Sequence, residues 1–377
     1  ITAGQNVASE FLKLQTAMFA PAAPELLAIE NGIALLEMRE SQVIGLGQYI
    51  HETKHRCGGF LAHESLEEAL NVLKPADQKR APNAAAVVYS IDNATSVDAM
   101  MSSLSASTLT STLMQLTSFK NRYYTSKTGV DAANWLKAHW ESIAQGRDDI
   151  HVELFAHTGW AQPSVILTIE GSTLPQEVVV LGGHLDSVNS SNRRGVAPGA
   201  DDDASGIATL SEVLRAIVTT QFRPNRTIQL MAYAAEEVGL RGSKAIAAKY
   251  KLDAINVVGV LQLDMTNYKG STSDIVLYTD YTDVGQNEFV ANLVDTYVQV
   301  SRTTSTCGYG CSDHASWFNQ GFATSMPFEA VMGEHNSAIH TANDTLDISA
   351  GSVEHSMKFA KLAAAFVGEL GKGAIVE

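Results

Sequence analysis

From about residue 151 onward, short apolar runs alternate with longer stretches of helical periodicity. The runs SVILTIEG (164–171), EVVVLGG (177–183), TIQLMAYAA (227–235), VVGVLQLDM (257–265) and DIVLYTD (274–280) have the length and β-branched content of buried strands. Between them apolar residues recur every three or four positions, as at Ile207, Leu210, Leu214 and Ile217 in a helix predicted over about 203–218. Strands alternating with helices predict an α/β fold, a mixed, mostly parallel sheet flanked by helices. Upstream, residues 92–150 carry amphipathic helical patterns, VDAMMSSLSASTLTSTLMQLTSF and VDAANWLKAHWESIA, able to cover one side of that sheet. Residues 1–82 hold further helical patterns, VASEFLKLQTAMF and SLEEALNVLK, on either side of HETKHRCGGF. They end in the polar stretch KPADQKRAPNAAA, which reads as a linker. Two units follow: a small α-rich segment over 1–82 and a larger α/β unit over 83–377.

Composition narrows the partners. The 377 residues are 45% hydrophobic, enough for a large core, and carry a formal charge of -15. With a pI near 5.1, the surface repels nucleic acid and anionic membranes. No apolar run approaches the roughly 18 residues needed to span a bilayer. The chain begins at Ile1 rather than Met, which predicts that a signal peptide has been removed upstream. Of three cysteines, Cys307 and Cys311 stand four apart and are expected to be oxidised, leaving Cys57 a free thiol. Asn93, Asn189, Asn225 and Asn343 open Asn-x-Ser/Thr sequons, two of them beside the candidate catalytic residues, where a glycan would block access. A secreted protein from a bacterial host is expected.

Chemistry gathers at the strand ends. LGGHLD ends a strand with His184 and Asp186, which as i and i+2 share one face. APGADDDASG supplies Asp201, Asp202 and Asp203 before a helix, MAYAAEE supplies Glu236 and Glu237, LQLDM supplies Asp264, and IHTANDT supplies His340. Singly, these read as a helix cap, a solvated turn or a structural histidine. Together, two histidines and several carboxylates beyond the strand ends make a mixed nitrogen and oxygen ligand set suited to zinc. Thiols are too few for a structural zinc site, and nitrogen is too prominent for calcium.

The stretches GGHLDS, PGADDDASG, YAAEEVGLRGS, LQLDM, CGYGCSDHASW and IHTANDT, in this order, resemble the secreted bacterial leucyl aminopeptidases of the di-zinc exopeptidase family that includes aminopeptidase Y and glutamate carboxypeptidase. The resemblance covers about residues 92–370. It implies two zinc ions bridged by Asp202, one completed by His184 and Asp264 and the other by Glu237 and His340. Glu236 would be the general base, and Asp186 would hold the imidazole of His184. Asp201 and Asp203 are expected to cap the helix or meet solvent. The implied substrates are peptides with a free N-terminus, their first side chain received by an apolar pocket of Met265, Phe328, Met332 and Ile339. Tyr309 would donate to the developing oxyanion. Relatives tend to carry phenylalanine at the position of Met332, and the more adaptable methionine predicts a wider range of side chains. Residues 1–82 resemble a propeptide, which would cover the cleft or assist folding and be removed by a processing protease. Glutaminyl cyclases share much of the motif set but use a single zinc. A carboxypeptidase would need a cationic anchor, and basic residues near the motifs are few apart from Arg193, Arg194 and Arg241.

Overall fold

The computed structural model describes residues 1–18, 23–54, 58–73 and 87–376. The expected linker over 74–86 and the expected free thiol of Cys57 lie outside the described residues. The N-terminal unit runs β1 (Thr2–Gly4), α1 (Gln5–Met18), β2 (Glu25–Glu30), β3 (Ile33–Glu37), α2 (Glu40–Lys54), β4 (Phe60–Leu61) and α3 (Leu66–Val72). Its helices were expected, but a four-stranded antiparallel sheet of order β2-β3-β1-β4 accompanies them. The signal for it is Asn31–Gly32, whose φ angles of 50° and 77° both lie in the left-handed region. That pair closes a two-residue hairpin between ELLAIE and IALLE, the turn whose twist matches paired strands.

The larger unit opens with α4 (Ala94–Ser103), α5 (Ala106–Thr117) and α6 (Lys127–Ile143). The long helical pattern over 97–119 splits at Leu104–Ser105, because the Ser105 side chain accepts from the Thr108 N–H and starts a new helix. There follow β5 (Ile150–Phe155), β6 (Ser164–Ile169), β7 (Leu174–His184), α7 (Gly206–Thr219), β8 (Phe222–Arg223) and β9 (Arg226–Tyr233). The chain continues through α8 (Arg241–Leu252), β10 (Asn256–Gln262), β11 (Ile275–Tyr278), α9 (Val284–Leu293), β12 (Arg302–Ser305), α10 (His314–Asn319) and β13 (Thr324–Phe328). It closes with α11 (Glu354–Gly371) and β14 (Ala374–Ile375), the latter pairing with β8.

Eight strands form one sheet in the order β12-β11-β13-β10-β7-β9-β6-β5. The pairs β12/β11, β13/β10, β10/β7 and β7/β9 are parallel, while β11/β13, β9/β6 and β6/β5 are antiparallel, so the sheet is mixed and mostly parallel. Both faces are buried, and the two-residue period of a strand sorts the side chains between them. Val179 and Leu181 of β7, with Ile228, Leu230 and Ala232 of β9, pack into the core under α4 to α7, α9 and α11. Val178 and Val180, with Met231 and Tyr233, face the opposite core, which receives Ile246 of α8 and Trp317 of α10. Among the described residues no helix is long and apolar enough to cross a membrane. Because β9, β7, β10 and β13 are parallel neighbours, their carboxyl ends emerge side by side.

Candidate active site

At that edge the sequence-predicted residues meet. His184 ends β7, Glu236 and Glu237 follow β9, and Asp264 follows β10. Asp202 arrives on the turn entering α7, and His340 on the loop after β13. Two ligand groups result, His184 with Asp202 and Asp264, and Asp202 with Glu237 and His340. In each group the candidate donor atoms lie within 4.8 Å of one another. Asp202 belongs to both: its Oδ1 stands 2.8 Å from His184 Nε2, and its Oδ2 stands 3.1 Å from His340 Nε2. His340 Nε2 also lies 2.9 Å from Glu237 Oε2, and His184 Nε2 lies 3.5 Å from Asp264 Oδ1.

The donors fit two divalent cations. Among the described residues Asp264 Oδ1 is buried with no hydrogen-bond partner, although its Oδ2 accepts from Ser312 Oγ at 2.5 Å. A carboxylate oxygen left bare in the interior costs several kcal/mol unless a cation meets it. Glu236 is 2% exposed, and among the described residues neither of its oxygens has a partner. It lies outside both ligand groups. Burial raises its pKa well above the ordinary carboxylate range, and Asp313, Glu237 and Asp264 add to the rise against the pull of His184. Burial likewise moves Glu237 up to about 7. For His184, burial alone would lower the pKa, but Asp264, Asp186 and Asp202 outweigh it and raise the imidazole well above its usual value. Strong shifts gathered in one cleft mark a candidate functional centre. Three residues beside the site, Ala235, Met265 and His340, hold φ near +58°, a region non-glycine residues seldom occupy.

The shell around the ligands departs from the sequence reading in two places. Asp186 uses its backbone carbonyl toward His184 Nδ1, at 3.1 Å, with its carboxylate 3.7 Å from the same nitrogen. The shorter bonds of that carboxylate are to the N–H groups of Glu236 at 2.9 Å and Glu237 at 3.2 Å, so Asp186 ties the end of β7 to the glutamate pair. Asp201 and Asp203 do not meet solvent: both are buried. Asp203 caps α7 by accepting from Gly206 N at 2.9 Å, and it also accepts from His184 N at 2.9 Å and Met265 N at 3.1 Å. Glycine is required at 206, because a Cβ there would stand 2.4 Å from that carboxylate. Asp201 accepts from Asn267 N and Asn336 Nδ2. Behind it Asp344 accepts from the N–H groups of Asp201 and Asp202, a support that had no signature in the sequence.

Beside Asp264 opens a small cavity lined by Met265, Tyr278, Tyr309, Cys311, Met326, Phe328, Met332 and His335. Met265, Tyr309, Phe328 and Met332 were expected there. Ile339 belongs to the same apolar cluster but does not line the cavity. Tyr278, Met326 and His335 were missed, and the antiparallel register that sets Tyr278 opposite Met326 explains how strands β11 and β13 supply two of them together. A disulfide joins Cys307 to Cys311 and fixes the loop carrying Tyr309.

The N-terminal unit lies over this edge. The His51 ring sits 5.0 Å from the His340 ring, and a Cβ on Gly58 would come within 4.0 Å of Glu236 Oε1. Ala62 N donates to Gly239 O, and Gly239, at φ +103°, leaves no room for a side chain against Ala62. Elsewhere Arg241 and Tyr124 donate to Glu40, Lys244 pairs with Glu68 at 2.7 Å, and Leu61 and Val72 cluster with Leu240 and Ala315.

A parallel-edged α/β sheet carrying two candidate ligand groups that share one carboxylate suits a metal-dependent hydrolase. Residues 164–364 match the model of peptidase family M28, and the chain belongs to that family. It is 37% identical over 295 residues to a probable leucine aminopeptidase of Arthroderma otae, covering 77% of this chain and 80% of that protein. A second protein of the same fungus, leucine aminopeptidase 1, is 39% identical over 76% of this chain and 80% of its own length. The crystal structure of the LapA aminopeptidase of Legionella pneumophila superposes with a TM-score of 0.85 at 31% identity, over 99% of this chain and 98% of that one. Its coverage includes the N-terminal unit.

Proposed function

We propose that the chain is a two-zinc aminopeptidase that removes apolar residues such as leucine from the free N-terminus of peptides. The observation that carries this reading is the pair of ligand groups sharing Asp202 through separate oxygens, with the unligated, partnerless carboxylate of Glu236 beside them. When bound, the zinc ions polarise the scissile carbonyl and make water more acidic. Glu236 takes a proton from the attacking water and delivers it to the leaving amine, a task open to a buried carboxylate that lies outside both ligand groups. Asp186 holds Glu236 in place through its backbone N–H. The cavity beside Asp264 receives the first side chain, with Met332 leaving it adaptable and Tyr309 at its wall. The complete second group of Glu237 and His340 favours this reading over a single-zinc glutaminyl cyclase.

The N-terminal unit acts as a propeptide that covers the cleft until a processing protease cuts within 74–86. The Cys307–Cys311 disulfide supports secretion into an oxidising compartment. The test is release of p-nitroaniline from leucine p-nitroanilide, N-acetyl-leucine p-nitroanilide and a glutaminyl peptide series, with and without chelator, before and after limited proteolysis. Chelator-sensitive cleavage of the free-amino substrate alone, increased by proteolysis, is expected. Cyclisation of N-terminal glutamine without p-nitroaniline release would overturn the reading.

A further inference from the structure

Arg122 has no place in the reaction described above, yet it is a fully buried guanidinium beside the acidic site. Among the described residues it makes no ion pair with a carboxylate. Instead Nε donates to Leu185 O at 2.8 Å, Nη2 to Gly199 O at 2.9 Å, and Nη1 to Pro198 O and, at 3.3 Å, to Leu116 O. Leu185 lies between His184 and Asp186, and Pro198 and Gly199 lead directly into Asp201 and Asp202. One rigid fork therefore spans the two loops that bring His184 to Asp202. The backbone of the same segment runs along those loops: Arg122 N donates to Ser187 Oγ at 3.0 Å, Ser187 Oγ donates to Ala197 O, and Ala197 N donates to Lys120 O. Gln162 Nε2 holds Arg122 O from behind at 2.9 Å.

We infer that Arg122 is a positioning residue for the metal centre: its guanidinium clamps the His184 loop to the Asp202 loop and stands as a fixed counter-charge to the site's carboxylates. The guanidinium fork is suited to this because it is planar, stays charged and offers five donors. A buried cation without a paired anion is costly, and here the surrounding charges of Asp203, Asp344, Asp202 and Asp186 offset the burial that draws its pKa down. Lysine would keep the charge but could hold only one loop at a time. The carbonyls it abandons would then be unsatisfied in the interior.

This inference rests on the proposed metal centre, and the test separates the two. Zinc affinity is measured by competition with a chromophoric chelator for the unaltered protein, Arg122→Lys, Arg122→Met and Ser187→Ala. Each is also assayed for kcat and KM and for its thermal midpoint with and without chelator. For Arg122→Lys we expect zinc affinity and kcat to fall by about 10- to 100-fold with KM little changed, as for other residues that orient ligands. Ser187→Ala should lose less, and chelator should lower the midpoint of both arginine variants less than that of the unaltered protein, because zinc bound more weakly stabilises less. Equal midpoint losses with and without chelator at unchanged zinc affinity would make Arg122 a plain core residue and overturn the inference. So would an Arg122→Lys protein that cannot fold beside a Ser187→Ala protein with unaltered zinc affinity. Absence of zinc binding in the unaltered protein overturns both readings, whereas normal binding with unaffected variants overturns the clamp alone.

Discussion

Replacing Asp203 with alanine removes an acceptor shared by three buried N–H groups, those of His184, Gly206 and Met265, at 2.9, 2.9 and 3.1 Å. An orphaned buried donor costs about 1–3 kcal/mol, so three cost roughly 3–6 after partial relaxation. Loss of the carboxylate also relieves its repulsion with Asp264, which trims the total toward about 3–5 kcal/mol. Asp203→Asn is the informative control. Gly206 and Met265 both donate to Oδ1 and only His184 donates to Oδ2, so an amide with its oxygen at the Oδ1 position keeps two bonds and sets a donor against the third. Its cost should be about 1–3 kcal/mol, clearly below that of alanine. Urea denaturation of the chelator-stripped proteins, followed by tryptophan fluorescence, reads the difference without the contribution of zinc. An alanine variant losing less than about 1 kcal/mol, or an asparagine variant as damaged as the alanine one, would refute the three-donor accounting.

Glu236→Gln should lower kcat by about 10²- to 10⁴-fold with both zinc ions retained, and metal analysis of the purified variant checks the second half of that statement. Ser312→Ala removes the donor that holds Asp264 Oδ2, and zinc affinity measured by competition should fall by about 10- to 100-fold. His63 sits between the two units against Lys244, Glu68 and Thr2, and burial moves its pKa down to about 4. The unfolded chain, with its histidine near 6.5, takes up more protons between these values, so stability should fall as pH drops from 6.5 toward 4, by up to about 3 kcal/mol. Glu68, held down to about 2, stays ionised through that window. Thermal midpoints from pH 7 to 4 should fall less in His63→Gln than in the unaltered protein, the remaining loss belonging to His157, His314 and His355, whose pKa values burial lowers likewise; parallel curves would remove His63 as a cause.

The candidate ligands His184, Glu237 and Asp264 were readable because each ends or closely follows an apolar strand, and the parallel pairing of β9, β7 and β10 turns that local pattern into a shared edge. Asp203 caps α7 as expected, but the burial of Asp201 and Asp203 is a tertiary property: before a helix, an aspartate reads as a solvated cap until Asn267, Asn336 and Met265 arrive from 60 or more residues away. Tyr278 and Met326 depended on strand register, which no single stretch encodes. Arg122 lies in NRYY, a segment with neither periodicity nor a recognised spacing. The N-terminal sheet differs, since Asn31–Gly32 between two apolar runs is a strong hairpin signal. It was outweighed by the helical pattern on both sides.

The sequon asparagines bear on how the protein can be produced. Asn189 is 9% exposed, donating to Val196 O and accepting from Ser191 N and Asn192 N, and the next residue donates from Ser190 N to the carbonyl of His340. Asn93 is half-buried and donates to Gly368 O on α11. In a eukaryotic secretory pathway, oligosaccharide is attached while the chain is still unfolded, before either amide is enclosed. Material made there would carry a sugar that the loop beside His340 cannot enclose, so the yield of active protein becomes a matter of the expression host, and Asn189→Gln would be the substitution that restores it.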